Sequence, residues 1–251
     1  MNFEALLTPE TFSLYLDGLW MTIKLLLACV FAGFLFSVPL AVARNSRIWI
    51  IGKTVWAFTY VVRGTPLLLQ MYLIYYGLSQ FETVRNSFAW TALSEPMFCA
   101  VAALTINTVG YTTEIFAGAI RSLPYGEIEA ANAYGMSRWT NLRRIILPSA
   151  LRTSLPTYSN EVIMMLHATS LVSTITLLDL TGAANRIYST YYLPFEAFML
   201  AAVKQHQHQQ QIRNAADDNR INPREFAQKT IFRGRHQRTD QADQRRNKQR
   251  K

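Results

Sequence analysis

Charge is the first thing in short supply. Asp, Glu, Lys and Arg make up 16% of the 251 residues, against roughly 25% in ordinary soluble domains, and that deficit points to a membrane. What charge exists is unevenly placed. Residues 1–203 hold 12 Lys/Arg against 11 Asp/Glu, whereas residues 204–251 hold 13 against 5, so the net charge of +9 belongs almost wholly to the tail. Glutamine is equally lopsided: Gln70 and Gln80 stand alone before residue 204, and ten follow it. Cysteine is limited to Cys29 and Cys99, 70 residues apart in apolar runs. That spacing excludes a Cys/His metal ribbon or a CxxC redox pair and leaves two packed thiols. The N-terminus has no basic leader, since Glu4, Glu10 and Asp17 precede Lys24, so the first apolar stretch is expected to be retained. The G-x-x-x-x-G-K-[ST] phosphate loop is missing as well, so the chain is not itself an ATPase of that kind, and no cofactor or metal is expected.

Long hydrophobic runs, by contrast, are present. Leu25 to Ala43 is 19 residues without a charge, about 28 Å of helix against a hydrocarbon core of about 30 Å. Further spans are expected over Val55 to Leu78, broken by Arg63-Gly64-Thr65-Pro66, over Pro96 to Ile120, and over Leu155 to Leu180. Glu161, His167 and Asp179 interrupt the last of these. A charge at the bilayer centre costs about 2.5–3.5 kcal/mol, so they are expected to face protein or water rather than lipid. The fold class is therefore all-α, a multi-pass transmembrane bundle. Arg44, Arg47 and Lys53 in one loop, and Arg121, Arg138, Arg143, Arg144 and Arg152 in another, place both loops in the cytoplasm by the positive-inside rule, with the N-terminus outside.

The second basic loop, residues 121–152, reads as an amphipathic elbow. Glu127 to Tyr134 is rich in helix formers, Gly135 permits a turn, Ser137 can cap a second helix and Pro148 is expected to end it. Trp139, Leu142, Ile145 and Ile146 are expected on one face, and Ala130, Ala131 and Ala133 keep the surface shallow for a partner. Two readings arise. Ala131, Gly135 and the basic helix after it imitate a DNA-reading helix-turn-helix over residues 131–144, which with the basic tail would make a membrane-tethered regulator. Spans on both sides hold this element against the bilayer, however, so no nucleic-acid partner is expected.

The other reading is a resemblance. Glu129-Ala130-Ala131, then Gly135, then Ile145 and Leu147-Pro148 reproduce the EAA loop of permease subunits in bacterial ABC importers. RGTPLLLQ at residues 63–70 and YTTEIFAGAIRSLPYGEIEAANAYG at 111–135 resemble polar amino-acid permeases. NEVIMMLHATSL at 160–171 is similar to the histidine/lysine/arginine/ornithine and opine (octopine, nopaline) subgroup. The resemblance implies a type I importer fold of about five spans, in the bacterial inner membrane, acting on a polar, basic amino acid or opine. It also implies partners: a cytoplasmic dimer of ATP-binding subunits, a periplasmic solute-binding protein and a second, similar permease. Glu129, Ala130, Ala131 and Gly135 would couple the chain to the ATPase.

For the solute path, Asn107, Tyr111, Glu114 and Gly118 recur on one helical face of the third span, and Asn160, His167 and Thr174 recur at sevens on the fourth. Asn107, Tyr111, Glu114, Asn160, Glu161 and His167 are the candidate path residues, with Glu114 or Glu161 suited to a cationic solute. Hydrogen bonding between helices, without solute contact, is the other reading of each. The chain departs from the resemblance at its end. A fifth span should begin near Pro194, yet its apolar part, Phe195 to Val203, reaches only about 13.5 Å. The permease domain is thus read as residues 1–203. Residues 204–251 are read as a tail without regular structure, or as the product of a changed reading frame near codon 204.

Overall fold

The computed structural model describes residues 9–192 and 194–218. Two units divide the chain, residues 1–213 and 214–251; every contact below lies in the first, and the second enters the described structure only as the last residues of one helix. No strand occurs among the described residues, and the helices run in order: α1 (Pro9–Arg44), α2 (Trp49–Gly64), α3 (Leu67–Tyr72), the short α4 (Glu82–Arg85) and α5 (Trp90–Leu93), α6 (Pro96–Arg121), α7 (Tyr125–Ala133), α8 (Arg138–Asn141), α9 (Leu147–Ala168), α10 (Leu180–Tyr191) and α11 (Pro194–Asp218).

Helix α1 is packed inside out by the standards of a water-soluble protein. Small and hydroxylic residues, Gly18, Thr22, Cys29, Gly33, Ser37 and Ala41, recur at intervals of four or seven and are buried, whereas Leu27, Phe31 and Leu35 are exposed along the opposite face. An exposed aliphatic and aromatic stripe facing outward and small residues facing inward is the pattern of helices packed in lipid, where close backbone approach rather than expulsion of water holds neighbours together. A Cβ added at Gly18 would sit 2.8 Å from the Asp179 carbonyl oxygen, so only glycine allows α1 to meet the turn before α10 this closely. Among the described residues α1 alone is long and apolar enough to qualify as a span by itself; residues 138–175 and 180–190 qualify together as a bent pair.

Helix α6 is the hub. It packs on α1, α9, α2 and α3 and is buried on most sides, with Thr108, Thr112, Thr113 and Asn107 inside. These polar side chains explain why its 26 residues are long enough to span but not apolar enough to qualify on composition. The main core joins Leu25 and Cys29 of α1, Met71 of α3, Ala103 and Leu104 of α6, Met165 and Leu166 of α9, and Ile175.

Several spans differ from the sequence expectation. The second is two helices, α2 and α3, separated at Thr65-Pro66 as expected, and α3 continues through a wide π turn at Leu73–Gly77. The fourth starts far earlier than Leu155. The helical path runs from Arg138 through a π turn at Leu142–Ile146 into α9 and ends in a tight 3-10 segment, Thr169–Ile175, before Thr176 reverses the chain at φ +73. Pro148 does not end a helix but sits in the first turn of α9. The widened turn just before it absorbs the hydrogen bond its missing N–H cannot make. Asp179 caps α10: its carboxylate accepts from the Gly182 N–H at 2.8 Å, while the Leu180 N–H donates to the Thr22 hydroxyl at 3.2 Å.

The tail also differs. Helix α11 does not stop at Val203 but continues to Asp218, because Gln, Lys, Arg and Ala are helix formers and no Gly or Pro interrupts residues 204–218. A tail without regular structure is therefore incorrect for that stretch; residues 219–251 lie outside the described residues.

Candidate functional site: a docking elbow and a polar seam

The elbow is closed by local bonds at each of its turns. Helix α7 ends in a Schellman motif: the Gly135 N–H donates to the Asn132 carbonyl at 2.9 Å and the Met136 N–H to the Ala131 carbonyl at 3.2 Å, with Gly135 at φ +73. Glycine takes that left-handed conformation without steric cost. Two residues on, the Ser137 hydroxyl caps α8 by accepting from the Thr140 N–H at 3.2 Å. Ala131 and Asn141 are buried against each other's helices, and the Asn141 amide donates to the Asn132 side chain at 3.4 Å. Leu142, Ile145 and Ile146 are half-buried beneath, but Trp139, expected with them, is turned outward.

What remains outward is a face without a partner among the described residues. Glu129 and Ala130 are exposed on α7, flanked by Tyr125 at 76%, Tyr134 at 86% and Trp139 at 69% exposure. Three large aromatics around a shallow alanine surface are the composition of a protein interface rather than of a solvated loop. The helix-turn-helix reading finds no support. Helix α8 is four residues long before the chain passes into the bundle, which leaves no free recognition helix for a groove.

The candidate path residues fall into three places. Asn107 and Tyr111 lie at the break between α2 and α3. There Gln70 fills the gap in the helical ladder, its amide donating to the Val62 carbonyl at 2.7 Å, the Thr65 carbonyl at 3.2 Å and the Thr65 hydroxyl at 2.6 Å. The Asn107 side-chain amide donates to Gln70 Oε1 at 3.4 Å, and Arg63 lies 5.3 Å above the Tyr111 ring, whose hydroxyl donates to the Arg63 backbone carbonyl at 3.5 Å. Glu161, on α9, lies within electrostatic reach of the Thr108 hydroxyl and of Arg63, and so borders this seam. Asn160 beside it is exposed.

Glu114 is elsewhere, at the end of the bundle that carries the basic loops. One carboxylate oxygen accepts from Arg44 Nε at 2.9 Å and from the Thr59 hydroxyl at 2.8 Å, and the other lies 3.6 Å from Arg121 Nη2. His167 is apart from both, against the Gln209 side chain of α11. Sequence reasoning passed over Gln70 and Arg63 as site residues. Their signal was available: Gln70 is one of two glutamines before residue 204, and a lone amide in a span next to a helix break is there to satisfy freed carbonyls.

A bundle of lipid-facing helices around a broken span, with a rigid elbow held out from one end, defines a membrane transport subunit. The family described as the inner membrane component of binding-protein-dependent transport systems matches residues 23–203, and the chain belongs to it. It is 45% identical over 201 residues to the octopine transport system permease OccM of Rhizobium meliloti, covering 80% of this chain and 82% of that one. It is 51% identical over 191 residues to the histidine/lysine/arginine/ornithine permease HisM of Salmonella typhimurium, covering 74% and 80%. A solved structure of an amino acid ABC transporter with histidines matches at a TM-score of 0.76 and 31% identity, over 86% of this chain and 96% of that one.

Proposed function

We propose that this permease subunit carries a polar, basic amino acid or an opine across the inner membrane, driven by ATP hydrolysis in separate subunits. The observation that carries the reading is the exposed face of the elbow, with Glu129 and Ala130 presented between three aromatics on a backbone fixed by the Gly135 turn and the Ser137 cap. The elbow faces the cytoplasm, where a dimer of ATP-binding subunits docks on it; the N-terminus is periplasmic, on the side from which a solute-binding protein delivers its load. A second, similar but distinct permease completes the path. Because the elbow is continuous with α9 and joined to α6 by only Ser122, Leu123 and Pro124, movement of the docked ATPase displaces the two helices that enclose the polar seam.

In that seam Glu161 supplies the negative charge for a cationic solute, and Asn107, Tyr111 and Asn160 supply hydrogen bonds. Arg63 is suited to the solute's carboxylate. Glu114, held by Arg44 at the end of the bundle with the basic loops, and His167, against α11, stand outside this seam and serve the bundle. We further infer that residues 204–251 replace the natural end of the fifth span through a change of reading frame.

The test is ATP-dependent uptake in proteoliposomes holding this chain with the permease, ATPase and binding protein encoded beside it. Labelled arginine or octopine is expected to accumulate and to be displaced by the other basic solutes but not by glutamate; displacement by glutamate alone refutes the substrate class. Both natural cysteines are buried, so Tyr134→Cys gives a clean thiol. Labelling by an impermeant reagent from the periplasmic side refutes the orientation.

A further inference from the structure

Glu114 sits on α6 one heptad, about 10 Å, before Arg121, the last residue of that helix and the first of the elbow loop. Its carboxylate is divided between two jobs. The oxygen at 2.9 Å from Arg44 and 2.8 Å from Thr59 binds the end of α1 and the middle of α2. The oxygen at 3.6 Å from Arg121 faces the root of the elbow. Alongside it the Asn45 amide donates to the Ala117 carbonyl at 3.2 Å, closing α1 on α6 a second time. The side chains of Arg44 and Glu114 are largely buried at 20% and 17% exposure, whereas Arg121 is at 50%. The inner pair is therefore the tight one, and the pair to the elbow is longer and open to solvent. A single exposed pair contributes little, but several charges sharing one carboxylate form a network with defined geometry.

We propose that Glu114 is a positioning residue for energy coupling: it ties α1 and α2 to the root of the elbow, so that the three helices follow the ATPase as one body. This rests on the elbow being the ATPase dock. Without the tie, α1 still follows α6 through Asn45 and its packing, but Arg44 and Thr59 lose their common partner, so α2 lags when the elbow moves and hydrolysis runs without fully opening the path. The carboxylate acts through Arg44, Thr59 and Arg121 and not on the solute.

The experiment is Glu114→Gln in the complete importer in proteoliposomes, measuring hydrolysis with and without ligand-loaded binding protein, solute moved per ATP, and the KM for uptake. The ratio of stimulated to unstimulated hydrolysis is expected to fall about 5- to 20-fold, within the usual range of coupling between sites. Solute moved per ATP should fall with it, at unchanged KM and unchanged assembly. A raised KM with the ratio intact would make Glu114 a solute contact and overturn the proposal. So would losses that merely follow the amount of assembled complex. If Glu114→Gln does not reach the membrane, Arg44→Gln, which removes the partner on α1, decides by the same ratio: a fall supports the tie and no change overturns it. Failure of the docking reading looks different, because the unsubstituted chain would then not co-purify with the ATPase.

Discussion

The elbow at residues 121–152 is polar and basic, the stretch of α11 after Val203 is polar without net charge, and both are helical, yet they are held by different means. In the elbow the backbone itself is closed: Gly135 and Met136 donate back to α7, and Ser137 caps α8. Ala131 and Asn141 are buried within it, and Asn141 donates to the Asn132 side chain. After Val203 the helix persists on propensity, and its contacts are thin. The Gln205 amide reaches the Leu166 carbonyl at 3.5 Å, the Lys204 ammonium lies 4.7 Å over the Phe12 ring, and Ile212 is the aliphatic that reaches the main core. Polarity alone thus does not mark a loop or a tail. Local closure distinguishes a segment shaped for a partner from one that merely continues.

The comparison breaks most forcefully at Glu129. Glu129→Arg reverses a charge in the centre of the exposed elbow face, where a like-charge contact costs several kcal/mol. Uptake should fall about 100-fold or more, with membrane insertion unchanged by protease protection. The same reversal in the tail, Lys204→Glu, should leave uptake within about twofold. Uptake surviving Glu129→Arg would remove the elbow from the coupling mechanism.

How much of this could be read from residue order follows from the range of the forces involved. The elbow turn was legible because Gly135 and Ser137 act on neighbours within five residues. The α2/α3 break was legible at Pro66, which removes its own hydrogen bond. Other features were not legible. Helix α9 runs through Pro148 only because a π turn precedes it, and that depends on how Leu142, Ile145 and Ile146 pack below. Helical periodicity places Glu114 on the face of Asn107 and Tyr111; that Arg44, 70 positions earlier, takes its carboxylate is a tertiary fact. His167 likewise meets Gln209 only once α11 lies against α9.

A second prediction sharpens the contrast from the side of the tail. Gln205 and Gln209 are half-buried against α9, where a natural fifth span would present aliphatic side chains. Replacing both with leucine should stabilise the bundle by about 2–4 kcal/mol, raising the melting midpoint in detergent by about 5–10 °C. Sequencing the gene tests the same idea without a variant, since the next frame beyond codon 203 should encode about ten further apolar residues. No gain in melting midpoint, and no apolar residues in that frame, would make the glutamine helix the chain's own ending.

The smallest effects lie inside the elbow, and their order is what matters. Gly135→Ala forces a side chain into the left-handed region at a cost of about 1–2 kcal/mol, whereas Ser137→Ala removes one cap worth about 1 kcal/mol. If the ATPase binds the elbow in this closed form, each cost appears as lost affinity. The isolated ATPase should bind membranes holding Gly135→Ala about tenfold more weakly, and those holding Ser137→Ala about fivefold. Gly135→Asn should sit nearer the unsubstituted chain, since asparagine tolerates that conformation better than alanine. An alanine at residue 135 that binds as well as glycine would show that the turn is not the bound shape, and the aromatics around Glu129 would then have to find the ATPase from some other arrangement of the same backbone.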